Sequence, residues 1–179
     1  MTHYIKIILF ISLTLTAGSC QKNTSLQEYL VESQEKNGFI TIDIPTSFLQ
    51  LKSEDVSDEV KATLKSIYKI NVVALPAKEN QEACKIERVK LKSIFKKNKK
   101  YKMLMSMKLQ EMNVHVYFTG KTTSLNEVIA FGYRDGLGVG VARLLGKNMN
   151  PANIITMLNK LKIDTNNLNL EQFSAIFSK

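Results

Sequence analysis

Lys102-Met103-Leu104-Met105-Ser106-Met107-Lys108-Leu109 opens the stretch that decides the fold. From Tyr101 onward the pattern runs at a period of two. It persists through three further runs, residues 113–119, 125–134 and 137–144. The breaks between them fall at Gln110-Glu111, at residues 120–124 and at Asp135-Gly136, where polar residues and glycine favour turns. Four consecutive runs with short breaks predict an antiparallel meander, each strand paired with its neighbour in sequence.

Upstream, residues 80–97 carry Ala83, Cys84, Leu91, Ile94 and Phe95 at helical spacing, with Glu87 interrupting that face. Before that helix, Ile70-Asn71-Val72-Val73-Ala74-Leu75 is an apolar run without alternation, ending at Pro76. It suits a central strand covered on both faces. Ser57 caps a helix whose Val60, Leu64, Ile67 and Tyr68 share one face. Residues 39–44 alternate Ile40, Ile42 and Ile44 against Phe39, Thr41 and Asp43, a strand ending at Pro45, and a short helical turn is expected around residues 48–51. Ser25-Leu26-Gln27-Glu28 fits a capping box, and Asn37-Gly38 closes that first helix.

Downstream, Asn150-Pro151 places a cap and then a proline at the first turn of a helix carrying Ile154, Ile155, Leu158 and Leu161. Asn169 and Gln172 predict a last short helix with Phe173, Ile176 and Phe177. No internal repeat and no low-complexity block is present. The expected class is α+β: a mostly antiparallel sheet ending in a four-stranded meander, with helices packed chiefly on one face.

The N-terminus sets an expectation about location. Behind Lys6 lies an apolar stretch, residues 7–15, too short to span a bilayer as a permanent helix. It runs into Leu15-Thr16-Ala17-Gly18-Ser19-Cys20, where small residues leave the backbone open to a peptidase and the thiol of Cys20 is the nucleophile able to take a diacylglyceryl group. The expected organisation is a lipoprotein signal at residues 1–19, a lipidated tether at 20–24 and one α+β domain at 25–179. Cys20 would become the mature N-terminus. Its lipidation leaves Cys84 as the other of two cysteines, so no internal disulfide is expected.

The chain carries a formal charge of +9, and processing removes only the charge of Lys6. A basic envelope protein favours anionic surfaces or an acidic protein partner. Lys85, Arg88, Lys92 and Lys96 fall on one helical stripe, and Lys97, Lys99, Lys100 and Lys102 extend it. Most such stripes are solvated faces. Nucleic acid is disfavoured by location and by the lack of aromatics interleaved within the stripe.

The order of elements resembles the domain of unknown function 4252 family. The residues that carry the resemblance are Gly38-Phe39-Ile40-Thr41-Ile42, the strand from Ile70 to Leu75, Tyr101-Lys102-Met103-Leu104-Met105 and Asn113-Val114-His115-Val116-Tyr117-Phe118. Residues 136–140 are richer in glycine than the family pattern. The resemblance implies an envelope protein of Bacteroidota-type bacteria and no particular activity. Surface-exported lipoproteins of those bacteria tend to carry acids after the cysteine, whereas here Gln21-Lys22-Asn23 follows. That favours an outer-membrane anchor facing the periplasm.

Gly136-Leu137-Gly138-Val139-Gly140 has the wrong spacing for a dinucleotide loop and reads as a glycine-bearing strand. Met103, Met105 and Met107, with Met112 nearby, suggest soft ligands for cuprous copper, but Leu109 continues the stripe and a core role is expected. His115 shares a strand side with Tyr117 and Thr119, opposite the more core-like Val114, Val116 and Phe118, and has no zinc or hydrolase motif around it. Cys84, on the apolar side of its helix, is expected to be inert. No catalytic residue, metal or cofactor is expected. The first reading is therefore a lipid-anchored, non-catalytic envelope protein with a binding or scaffolding role. The alternatives are a periplasmic enzyme without a recognisable motif and a copper protein using the methionine stripe.

Overall fold

The computed structural model describes residues 24–51, 57–109 and 111–163. The expected signal, Cys20 and the expected helix around residues 169–177 lie outside the described residues. Helix α1 (Leu26–Gln34) starts at the capping box, where Ser25 N–H donates to Glu28 Oε2 at 2.8 Å and Glu28 N–H donates to Ser25 Oγ at 3.1 Å. Strand β1 (Ile40–Ile44) follows Gly38, whose φ of +83° suits the sharp exit from the helix. A 3₁₀ turn at Thr46–Phe48 leads into strand β2 (Leu49–Leu51). The expected helical turn at 48–51 thus lies earlier, and Leu49–Leu51 is extended because it pairs with a strand more than a hundred residues away.

Helix α2 (Asp58–Ser66) is capped by Ser57, whose Oγ accepts from Val60 N–H at 3.4 Å. Ile67 and Tyr68 do not extend it. They begin strand β3 (Ile67–Pro76), where a bulge leaves Tyr68 exposed and lets Ile67 and Lys69 pair with a later strand. Helix α3 (Gln81–Lys97) buries Cys84, Glu87, Leu91, Ile94 and Phe95, while Ala83, expected on that side, is exposed. The meander follows as β4 (Lys102–Leu109), β5 (Met112–Lys121), β6 (Ser124–Arg134) and β7 (Gly138–Met149). Helix α4 (Pro151–Lys160) is capped by Asn150, whose Oδ1 accepts from Ala152 N–H at 2.9 Å. It ends one residue before Leu161, which opens strand β8 (Leu161–Ile163) and pairs with β2 rather than extending the helix.

The main sheet has six antiparallel strands in the order β1-β3-β7-β6-β5-β4, so the chain is an open-sheet α+β protein. The meander forms as expected, and β3 joins it through β7. The first face is covered by α1 and α3 around Val73, Leu75, Leu91, Ile129, Phe131 and Val141. Fully burying each such large side chain contributes about 1.5–3 kcal/mol. The second face is covered at one end by α2 and α4 over Ile70, Leu125, Val128 and Leu144. Its other end is a shallow apolar trough of about 220 Å³, floored by Ala74, Ala130, Gly132, Gly140 and Ala142. Gly138 has φ +139°, and a Cβ there would collide with the Leu75 carbonyl oxygen of β3, so the glycines of residues 136–140 serve a turn and a close strand approach.

Candidate functional site

Helix α3 lies across the first face because Phe95 stacks on Tyr117 at 4.3 Å between centroids and meets Phe131 at 5.7 Å. That packing turns Lys85, Arg88, Lys92 and Lys96 out along one flank. Arg88 and Lys92 sit over the ring of Tyr133, at 5.2 and 4.5 Å from its centroid. The stripe divides in two. Lys85 pairs with Glu82 at 3.0 Å and Arg88 with Asp135 at 3.1 Å. Among the described residues, no carboxylate pairs with Lys92 or Lys96, nor with Lys97, Lys99, Lys100, Lys102 or Lys108. From Arg88 to Leu109 the sequence contains no acid at all. The unneutralised charge therefore gathers at the C-terminal half of α3 and along β4.

An aromatic row lies beside this flank, which the sequence of the helix does not reveal. His115 stacks on Phe131 and Tyr133 at 6.0 and 5.9 Å, and its Nδ1 lies 3.1 Å from Ser106 Oγ. Lys100 caps the Tyr101 ring at 4.8 Å, and on the opposite face Lys102 caps the Phe118 ring at 5.9 Å. The signal was the shared strand side of residues 127–133 and 113–117, once β5 and β6 are paired. The His115 side of β5, read as the more solvated one, is the side on which α3 packs, because Tyr117 is the platform for Phe95.

The methionine stripe is not core. Strand β4 has no buried residue, with Met103 at 56% and Met107 at 42% exposure, because it is the edge of the sheet. A bulge also breaks the stripe: Met103 pairs with Tyr117 and Met105 with Val116. Met103 therefore shares the first face with Tyr117, whereas Met105 and Met107 share the second with Val116 and Val114. The expected single row of sulfurs is split between opposite faces.

Cys84 is buried and free, its Sγ donating to the Leu75 carbonyl at 3.3 Å, and burial pushes its thiol above the usual range. Beside it Glu87, 7% exposed, accepts from Lys36 Nζ at 3.2 Å through Oε1. Burial first, and then the nearby Glu87 carboxylate, hold the Tyr29 hydroxyl far above its usual range, so this cluster keeps its phenol neutral. At the opposite end of the first face, Glu127 of β6 accepts from Arg143 Nε and, at 3.3 Å, from Thr119 Oγ1, while Arg143 Nη1 donates to Gln27 of α1. This polar row ties α1 to the sheet. Among the described residues, no three His, Cys, Asp or Glu side chains come close enough to hold a metal.

Among the described residues, the fold and this surface define an open-sheet α+β protein with a cationic side that meets the edge strand β4. The chain belongs to the family described as Domain of unknown function (DUF4252), whose model matches residues 29–157. No match is found among the curated proteins or the solved structures. Among the described residues, no helix is long and apolar enough to cross a membrane.

Proposed function

We propose that this protein is a lipid-anchored, non-catalytic component of the cell envelope that binds or scaffolds an anionic surface or an acidic protein through its basic side. The address rests on the sequence from Leu15 to Cys20 behind a short apolar run. The orientation, an outer-membrane anchor facing the periplasm, rests on Gln21-Lys22-Asn23, which lacks acids. The observation that carries the binding role is the set of lysines at the end of α3 and along β4 that have no carboxylate partner among the described residues.

Acyl chains on Cys20 would supply the anchoring energy, at about 0.8 kcal/mol for each buried methylene. The test is fatty-acid labelling, with and without globomycin, of wild type and Cys20→Ala, followed by membrane fractionation. Wild type takes label and sediments with membranes, and the variant takes none and is soluble or unprocessed. Membrane retention of an unlabelled wild type, or label retained by the variant, would overturn the anchor.

A further inference from the structure

We propose that β4 is a docking edge for an extended acidic segment of a partner protein, which adds to the sheet as a seventh strand. This rests on the binding role proposed above and names the chemistry of the partner. Among the described residues β4 pairs only with β5, so one row of its backbone N–H and C=O groups has no strand beside it. Such an edge is a template for another chain, with main-chain hydrogen bonds giving affinity and alternate side chains giving selectivity.

The two faces beside that edge differ in chemistry. On the first, Lys108 lies in one row with Asn113 and Tyr133, and Lys92 sits over Tyr133, about two strand spacings away. On the second lie Met105, Met107 and Leu109, followed inward by Val116 and Val114 and then by the apolar trough. Beyond the bulge, a strand laid along residues 105–109 would meet Lys108 on one side and apolar surface on the other, while Lys102, ahead of the bulge, sits with Phe118 on the second face. The matching segment alternates acidic and apolar residues at a period of two.

The same features disfavour other occupants. A second copy of β4 would bring its own Lys102 and Lys108 to an edge that already carries these cations, so like charges gather along the seam. A phospholipid surface would welcome the lysines, yet its phosphates can accept from backbone N–H groups and cannot donate to backbone carbonyls.

The test uses the full lipidated protein in zwitterionic detergent and a labelled ten-residue peptide alternating Glu and Val. A peptide alternating N-methyl-Glu and Pro keeps the charge and length but has no backbone N–H on either edge and cannot take its place in a ladder. Binding is followed by fluorescence anisotropy and by amide exchange. The expected result is tighter binding of the Glu-Val peptide, by about tenfold, with slowed exchange confined to β4 and its flanks. The exposed-site variant Lys92→Glu/Lys96→Glu/Lys108→Glu, checked for native circular dichroism, is expected to weaken that binding about tenfold.

Equal affinity for the two peptides, or binding without slowed exchange in β4, overturns the proposal in favour of a diffuse cationic surface. Slowed β4 exchange with phosphatidylglycerol vesicles but not with peptide overturns it in favour of the membrane. Slowed β4 exchange that rises with protein concentration alone overturns it in favour of a second copy. Acyl labelling is read separately, so loss of strand docking with label intact leaves the anchor standing, and loss of label leaves the docking result untouched.

Discussion

Replacing Arg143 by Met would expose how much the fold depends on one ion pair at the end of its first face. Glu127 is 5% exposed and the Arg143 side chain 13%, so solvent screens their attraction little. Arg143→Met removes the Nε donor to Glu127 and the Nη1 donor to Gln27, leaving the carboxylate with only the Thr119 hydroxyl. Stranding a buried charge in this way costs about 3–5 kcal/mol, against a typical total stability of about 5–15 kcal/mol. For a domain of this size that corresponds to a fall in Tm of about 6–20 °C. The assay is urea and thermal unfolding followed by circular dichroism. The companion variant Arg143→Met/Glu127→Leu removes both charges and is expected to regain most of the loss, since paired removal is often close to neutral. A single variant within about 1 kcal/mol of the parent, or a double variant no more stable than the single, would refute the reasoning.

Two further outcomes follow from separate parts of the molecule. Cys84, buried and raised above the usual thiol range, should react with iodoacetamide at pH 8 only after unfolding, and rapid modification of the folded protein would contradict its placement under α3. Gly138→Ala puts a Cβ against the Leu75 carbonyl at a φ of +139°, so it should cost more than the ordinary 1 kcal/mol or so of a glycine replacement, read as a lowered urea midpoint with an unchanged slope.

The parts of this fold that rest on local pattern were legible. The period-two runs after Tyr101 became β4 to β7, Ser25 and Glu28 formed their reciprocal cap, and Cys84 was buried. The basic stripe, too, was visible as a spacing of three and four residues. What depended on distant pairing was not. Leu49–Leu51 is extended because of Leu161–Ile163, and Ile67 leaves its helix to pair with Gly146. Hydrophobic periodicity alone says nothing about which strand takes the edge, so the methionines of β4 read as core although they border solvent. Likewise His115 and Tyr117 read as outward until α3 is laid on their side of the sheet. The neutralisation of Arg88 depends on Asp135, in a turn 47 residues away, whereas Lys85 pairs with the nearby Glu82 and, among the described residues, no carboxylate pairs with Lys92 or Lys96.

The bulge in β4 has a consequence for how this chain can change length. Leu104 is the residue it inserts, since Met103 opposes Tyr117 and Met105 opposes Val116 with nothing left across from Leu104. Elsewhere in a strand a one-residue deletion inverts every later side chain from one face to the other. Here the loss of Leu104 would leave Ser106 and Lys108 on the helix-covered side and Met105, Met107 and Leu109 on the trough side, at the expense of only the packing of Leu104 itself. The strand carries a site where its reading frame tolerates a gap, placed ahead of the residues whose facing matters most.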